Sequence, residues 1–150
     1  MTDAGTAQPW RSLGAGLCAG IGFAAFVDEA VFHQLLHWHH LVDGATPAVG
    51  LVSDGVLHAV EVVALVAGLF LYADLNRRRA AVRSRFWAGV LLGAGGFQLY
   101  DGLVQHKLLA LHQVRYGVDL LPYDLAWNLA GVVVALAGVV VLLVRRPERG

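Results

Sequence analysis

Four long apolar segments dominate the chain, and short polar connections separate them. Each has the roughly 20 residues that an α-helix needs to cross the hydrocarbon core of a bilayer. Four such segments in succession are rare in the core of a soluble protein. The pattern predicts an all-α membrane protein, a four-transmembrane-helix bundle forming one domain over residues 1–150. The expected spans are Ser12–Trp38, Val52–Ala73, Phe86–Leu109 and Leu125–Val144.

Composition supports this prediction. Hydrophobic residues make up 57 % of the chain and charged residues 15 %, whereas a soluble domain has roughly 25 % charged residues. The formal net charge is zero, so no basic surface points to nucleic acid. The lipid bilayer is the expected partner. Since the first apolar segment has no signal-peptide cleavage pattern, it is expected to remain as a span.

Basic residues predict the orientation of the spans. They are concentrated before the first span, in the second connection and after the fourth span, while the first connection has none and the third has only Arg115. Because cytoplasmic loops of membrane proteins are rich in Lys and Arg, both termini should be cytoplasmic, and residues 39–51 and 113–123 should face outward. The expected location is a bacterial inner membrane. The basic residues concerned are Arg11, Arg77, Arg78, Arg79, Arg83, Arg85, Arg145, Arg146 and Arg149.

The chain also repeats itself. A shift of 73 positions superimposes the first span on the third, and a shift of 70 superimposes the second on the fourth. The repeats run over about 12–75 and 86–146, as two tandem helical hairpins. Both begin on the same side, which implies a pseudo-twofold axis along the membrane normal. Glycines at four-residue spacing in the first and third spans indicate close helix packing.

Ionisable residues lie where a bilayer makes them costly, by about 2.5–3.5 kcal/mol each near its centre. They require a partner, a metal or water. Several occur in both repeats, namely the pairs Asp28/Asp101, His33/His106, His39/His112 and Asp54/Asp124. Others occur in one repeat only, namely Glu29, His37, His40, His58 and Glu61.

Helical spacing groups these side chains into stripes. At about 100° per residue, Glu29, His33, His37 and His40 share one face, and Asp54, His58 and Glu61 share another. Asp28 and His39 lie about 120–140° from His33 on the same α-helix. Either the odd spans present two polar faces, or the helices end before His39 and His112. The sequence leaves both arrangements open.

The donor atoms predict a metal site near the outer leaflet. A single cysteine, Cys18, and a single methionine, Met1, exclude Cys-pair and thioether-rich sites. Imidazole and carboxylate ligands suit copper as Cu(II), zinc or non-haem iron, and a bis-His haem between the first and third spans is an alternative. We expect His33, His58, His106 and His112 as ligands, joined by His39. Asp28, Asp54, Asp101 and Asp124 would orient imidazoles or cap helices, and Glu29, His37, His40 and Glu61 are additional candidates.

Two other functions use the same residues. Proton or divalent-cation transport would use them as a relay, although the inner half below Asp28, Glu61 and Asp101 is apolar apart from Tyr72 and Gln98. A structural or interaction subunit would use them only to fix helix register. Whether the protein catalyses a reaction or forms homo-oligomers is left open.

The spaced motifs carry a resemblance that covers nearly the whole chain. The segments are Phe26-Val27-Asp28, His33-Gln34, Trp38-His39-His40, Asp54-Gly55 with His58, Asp101-Gly102 with His106, His112, Val114-Arg115, and Asp124. They resemble a family of bacterial membrane proteins called domain of unknown function 2243. The resemblance implies a four-span protein and supplies no activity. It also favours respiratory metal handling and a respiratory-complex partner. Glu29 and His37 depart from the family pattern, which has Gly and often Gln there.

Overall fold

Four α-helices make up the part of the chain that the computed structural model describes, residues 6–144. They are α1 (Pro9–Asp28), α2 (Pro47–Arg77), α3 (Arg83–Tyr100) and α4 (Leu120–Val144). The chain of α1 continues as a π-helical segment, Glu29–Leu35, and that of α3 continues as a second one, Asp101–Leu108. The expected cytoplasmic arginines Arg145, Arg146 and Arg149 lie outside the described residues.

Local sequence signals explain where the helices begin and end. Proline opens both α1 and α2, since its missing N–H is not needed in a first turn. The Thr46 hydroxyl accepts a hydrogen bond from the Val49 N–H at 3.4 Å. Helix α2 ends when Arg79 adopts a left-handed conformation with φ 56°. The Ala80 N–H then donates to the Leu75 carbonyl at 2.9 Å, which closes a Schellman motif.

Helices α1 and α3 form the central pair, α2 packs on α1, and α4 packs on α3. The two central helices approach closely because glycines of each helix face the backbone of the other. A Cβ added to Gly20 would overlap the Val90 carbonyl oxygen, and one added to Gly93 would overlap that of Leu17. Only glycine permits this approach, so the predicted close packing of the glycine-bearing helices is present between these two helices.

Three helices in residues 6–144 are long and apolar enough to cross a membrane: Pro9–Leu35, Pro47–Arg77 and Leu120–Val144. The expected third span is helical but is not among them. Its glycines, Gln98 and Asp101 lower its hydropathy. It packs against two helices, so less of its surface has to be apolar. Helices α2 and α4, in contrast, carry long rows of exposed Val and Leu side chains.

The two halves share an unexpected helix ending. After each π-helical segment, one residue takes a left-handed conformation: His37 with φ 51° and Ala110 with φ 49°. These positions are 73 apart, the offset of the repeat. The helices therefore end at Leu35 and Leu108, before His39 and His112, which decides between the two arrangements that the sequence left open. The expected spans differ from the helices by up to five residues at their ends.

Candidate metal centre

The π-helical segments bring an aspartate and a histidine of each half together. Asp28 and His33 are five residues apart, as are Asp101 and His106, and π-helical hydrogen bonds join residues at this spacing. His33 Nε2 lies 3.8 Å from Asp28 Oδ2, and His106 Nε2 lies 2.9 Å from Asp101 Oδ2. All four side chains are buried. The α-helical angle of 120–140° predicted between Asp28 and His33 was wrong because the helix widens there.

The outer connections contribute His39 and His112 through reciprocal hydrogen bonds. His39 Nδ1 lies 2.9 Å from the Val114 carbonyl oxygen, and His112 Nδ1 lies 2.9 Å from that of Leu41. Because a carbonyl oxygen only accepts, each Nδ1 must carry the proton and donate. The lone pair of each ring is then on Nε2, the atom available to a metal. Each half thus orients the other half's histidine.

The four imidazoles form one packed group, which we call the histidine cluster: His33, His39, His106 and His112. The rings of His39 and His112 stack with centroids 4.5 Å apart. His33 lies 4.4 Å from His39, and His106 lies 4.6 Å from His112, both edge to face. Among the described residues, none provides a hydrogen-bond partner for any of the four Nε2 atoms.

Two sets of donor atoms that include His39 are close enough for one ion each, and a third set, formed by Glu29, His33 and Asp54, is equally close. The ligand atoms of His39, His106 and His112 lie within 4.8 Å of one another, and so do those of Asp28, His33 and His39. Ligand atoms about 2.1 Å from one ion lie about 3.0–3.4 Å from one another, so a small contraction would complete either set. His39 belongs to both sets and can donate its Nε2 to one ion at a time.

Asp101 lies against two rings of the histidine cluster. Its Oδ1 accepts a hydrogen bond from Gln105 at 3.1 Å and lies 3.4 Å from His112 Nε2, while Oδ2 is 2.9 Å from His106 Nε2 without hydrogen-bond geometry. A carboxylate oxygen facing an imidazole lone pair at this distance is repelled unless a proton or a metal lies between them.

His39 is suited to act as a ligand. It follows the spanning helix and is 5 % exposed. Burial, reinforced by the neighbouring His112 and His33 rings, lowers the pKa of His39 to about 3. The ring is therefore neutral at ordinary pH and keeps its lone pair. A metal would not have to displace a proton from it.

The surroundings of the cluster differ between the halves. His33 Nδ1 lies 3.0 Å from Asp54 Oδ1 and 2.8 Å from Glu29 Oε2. Asp54 also bonds to His40 Nδ1 at 2.6 Å and accepts from the Leu41 N–H at 2.7 Å. In the second half, no described residue hydrogen-bonds to His106 Nδ1. Glycine replaces Glu29 there, at Gly102.

Several residues predicted from the sequence lie outside the cluster. His58 has a side chain 52 % exposed, and its Nδ1 contacts Glu61 at 2.8 Å. His37 is exposed, because the left-handed turn removes it from the helical stripe. Asp124 pairs with Lys107 at 2.5 Å. The structure brings His33, His39, His106 and His112 together with Asp28 and Asp101, and it adds Gln105, which the sequence reasoning missed. The position of Gln105 four residues after Asp101 was the one available signal.

The comparisons with known proteins define a family and no activity. No curated protein and no solved structure matches the chain. A family model described as "Predicted membrane protein (DUF2243)" matches residues 15–145. This match spans both hairpins and every residue of the histidine cluster. The chain therefore belongs to the DUF2243 family of predicted membrane proteins.

Proposed function

We propose that this integral membrane protein binds a transition metal, as Cu(II), zinc or non-haem iron, between its two halves. The observation that carries the proposal is the histidine cluster, in which four buried Nε2 atoms have no hydrogen-bond partner within residues 6–144. Asp28 and Asp101 add two buried carboxylates. Unpaired buried polar atoms are expensive, and a cation held by one of the two donor sets that share His39 would satisfy the atoms of that set.

We propose that this centre lies near the outer leaflet. We propose four spans, with α3 as an interior span between α1 and α4, and cytoplasmic termini. The exposed arginines Arg77, Arg78 and Arg79 end α2 on the side opposite the cluster. The positive-inside preference makes that side cytoplasmic.

The geometry favours a metal ion over haem. The four rings contact one another with neighbouring centroids 4.4–4.6 Å apart. A porphyrin would have to separate these rings and break the bonds of His39 and His112 to backbone carbonyls. A metal ion needs only the space between the Nε2 atoms. A location near the outer leaflet fits copper handling or electron transfer near a respiratory oxidase, and the family resemblance favours respiratory metal handling.

The geometry also favours metal binding over transport. Towards the cytoplasmic end, the described core consists of Ala15, Ala19 and Phe86, and glycines hold α1 and α3 in backbone contact. No buried ionisable side chain of residues 6–144 continues the polar cluster through this layer. An ion or proton relay would end at Asp28 and Asp101.

Metal analysis of the purified protein tests the proposal. Protein purified in detergent should contain a stoichiometric transition metal by inductively coupled plasma mass spectrometry. Visible and paramagnetic resonance spectra would identify the ion. His39→Ala and His106→Ala should lose the metal, because each removes an Nε2 ligand.

His37→Ala and His58→Ala are the matched controls, since both remove an imidazole outside the cluster and should keep the metal. Protein that folds and stays metal-free after supplementation with copper, zinc and iron would overturn the proposal. If the purified protein shows a Soret band that the His33→Ala variant lacks, the bound group is haem and the proposed metal-ion site is wrong.

A further inference from the structure

A second group of metal-ligating side chains lies in the first half of the protein only. The ligand atoms of Glu29, His33 and Asp54 lie within 4.8 Å of one another, and each of these residues is 1 % exposed. We call this group the carboxylate set. Of the two donor sets that contain His39, the all-imidazole one shares no residue with it. One chain can therefore hold an ion in each of these two sets at the same time.

Neighbouring side chains leave one oxygen of each carboxylate facing His33. Gln34 Nε2 donates to Glu29 Oε1 at 2.7 Å, and His40 Nδ1 bonds to Asp54 Oδ2 at 2.6 Å. The other two oxygens, Glu29 Oε2 and Asp54 Oδ1, lie 2.8 Å and 3.0 Å from His33 Nδ1. Hydrogen bonds of this kind behind a carboxylate orient it for coordination.

A single proton on His33 does not satisfy both carboxylates. His33 Nδ1 carries at most one hydrogen, and it has hydrogen-bond geometry with Asp54 Oδ1. Glu29 Oε2 is then left without a hydrogen-bond partner among residues 6–144. Ligands about 2.1 Å from one ion at neighbouring corners of an octahedron lie about 3.0 Å apart. The two distances from His33 Nδ1 are close to this value, so an ion bound by all three atoms needs little rearrangement.

Buried negative charge around the carboxylate set has no basic residue to balance it. Glu61 is also 1 % exposed and is close enough to Glu29 for the two charges to repel. Its oxygens have no hydrogen-bond partner in the described chain, although His58 Nδ1 lies 2.8 Å from Oε1. The Lys and Arg ion pairs within residues 6–144 involve only Asp74 and Asp124. A divalent cation would offset the charge that neutral imidazoles leave unbalanced.

The second half of the protein lacks this set. The repeat counterpart of Glu29 is Gly102, where an added Cβ would overlap neighbouring side chains. The counterpart of Asp54 is Asp124, which pairs with Lys107. The architecture that the two halves share therefore forms without a carboxylate set, and packing alone does not explain its presence in the first half.

We propose that the carboxylate set binds a second ion, a hard divalent cation such as Mn²⁺, through Glu29 Oε2, His33 Nδ1 and Asp54 Oδ1. Two carboxylate oxygens and one nitrogen suit this class of ion, whereas the all-imidazole set suits copper or zinc. The ion takes the place of the proton on His33 Nδ1. Gln34 is exposed and the His40 side chain is 34 % exposed, so the set lies one side chain below the surface. This site does not require the ion in the all-imidazole set.

Titration with Mn²⁺ tests the proposal on the full chain in detergent, stripped of metal with a chelator and then loaded with Cu²⁺. Free Mn²⁺ gives a sharp paramagnetic resonance spectrum that broadens on binding, so the bound fraction is measured directly. We expect one bound Mn²⁺ per chain. Glu29→Gln should weaken Mn²⁺ binding by about tenfold or more and keep the Cu²⁺, whereas His106→Ala should lose the Cu²⁺ and keep Mn²⁺ binding.

Asp124→Asn serves as the control, because it removes the carboxylate at the repeat counterpart of Asp54, and it should bind Mn²⁺ like the unaltered chain. Electron spin echo spectra of the bound Mn²⁺ should show coupling to one imidazole nitrogen, which a nonspecifically bound ion lacks. Folded protein without bound Mn²⁺, equal binding by Glu29→Gln, or loss of Mn²⁺ in His106→Ala would each overturn the proposal. The Cu²⁺ content of the same samples reports separately on the all-imidazole set.

Discussion

The rings of the histidine cluster do not share one environment. His39 and His112 donate to backbone carbonyls, while His33 faces the carboxylates of Asp54 and Glu29. A carboxylate partner makes an imidazole a stronger ligand than a neutral partner does. The first half of the protein is therefore expected to bind the metal more tightly than the second half.

Asp54→Asn should weaken metal binding by about 10- to 100-fold, the usual cost of losing the carboxylate behind a ligating histidine. The amide retains the size of the side chain and removes the charge that faces His33 and His40. Competition with a chelating dye measures the affinity. Asp124→Asn is the control, since this repeat counterpart pairs with Lys107 and not with a cluster histidine. Equal losses in both variants would contradict a specific role for Asp54.

Sequence reasoning named all four members of the cluster and the carboxylate of Asp54 beside His33, but it did not identify the backbone acceptors of His39 and His112. Two criteria identified His33, His106, Asp28 and Asp101: ionisable groups are costly inside a bilayer, and these residues occur in both repeats. The acceptors of His39 and His112 are backbone carbonyls, which every residue type possesses, so no sequence pattern reveals them. His58 satisfied the spacing criterion, yet its side chain points outward.

At the scale of elements, the geometry of the site depends more on the change from α-helix to π-helix than on the length of the helices. The π-helical segments contain no proline, and only the second has a glycine, Gly102. The left-handed residues that follow the two segments are His37 and Ala110. Such residues rarely adopt this conformation. Four long helices could be predicted from apolar runs, whereas these two endings could not, because tertiary contacts of the outer connections determine them.

The contact between α1 and α3 leads to a stability prediction. Gly20→Val should destabilise the bundle by roughly 1–3 kcal/mol or more, because its side chain would overlap the Val90 backbone, which cannot move aside locally. Thermal unfolding in detergent, followed by circular dichroism, measures the change. Gly14→Val is the control, since a Cβ there meets nothing within 4 Å. A loss of stability as large in this control would point to helix propensity instead of packing.

At the scale of the molecule, the order α2–α1–α3–α4 places the two least apolar helices inside. The outer pair presents Val and Leu to the lipid, and the inner pair keeps its polar groups between the halves. Under the proposed four-span topology, this arrangement would let α3 cross the membrane with lower hydropathy than the other helices.

Cysteine labelling tests the proposed topology. In a Cys18→Ser background, Ala45→Cys in the first connection should react with a membrane-impermeant maleimide in intact spheroplasts. Asn76→Cys, at the opposite end of α2, should react only after lysis. Both positions are exposed, so a difference reports sidedness. The reverse labelling pattern would show that the orientation is opposite to the proposed one and that the metal centre lies near the cytoplasm.

The reciprocal bonds of His39 to Val114 and of His112 to Leu41 have a consequence for biosynthesis. The ribosome completes the first hairpin before Val114 exists, so Asp28, Glu29 and His33 enter the bilayer while half of their surroundings are still unmade. The nascent first hairpin should therefore stay with the insertion machinery until the second one emerges. A chain truncated after α2 would be a substrate for membrane proteases.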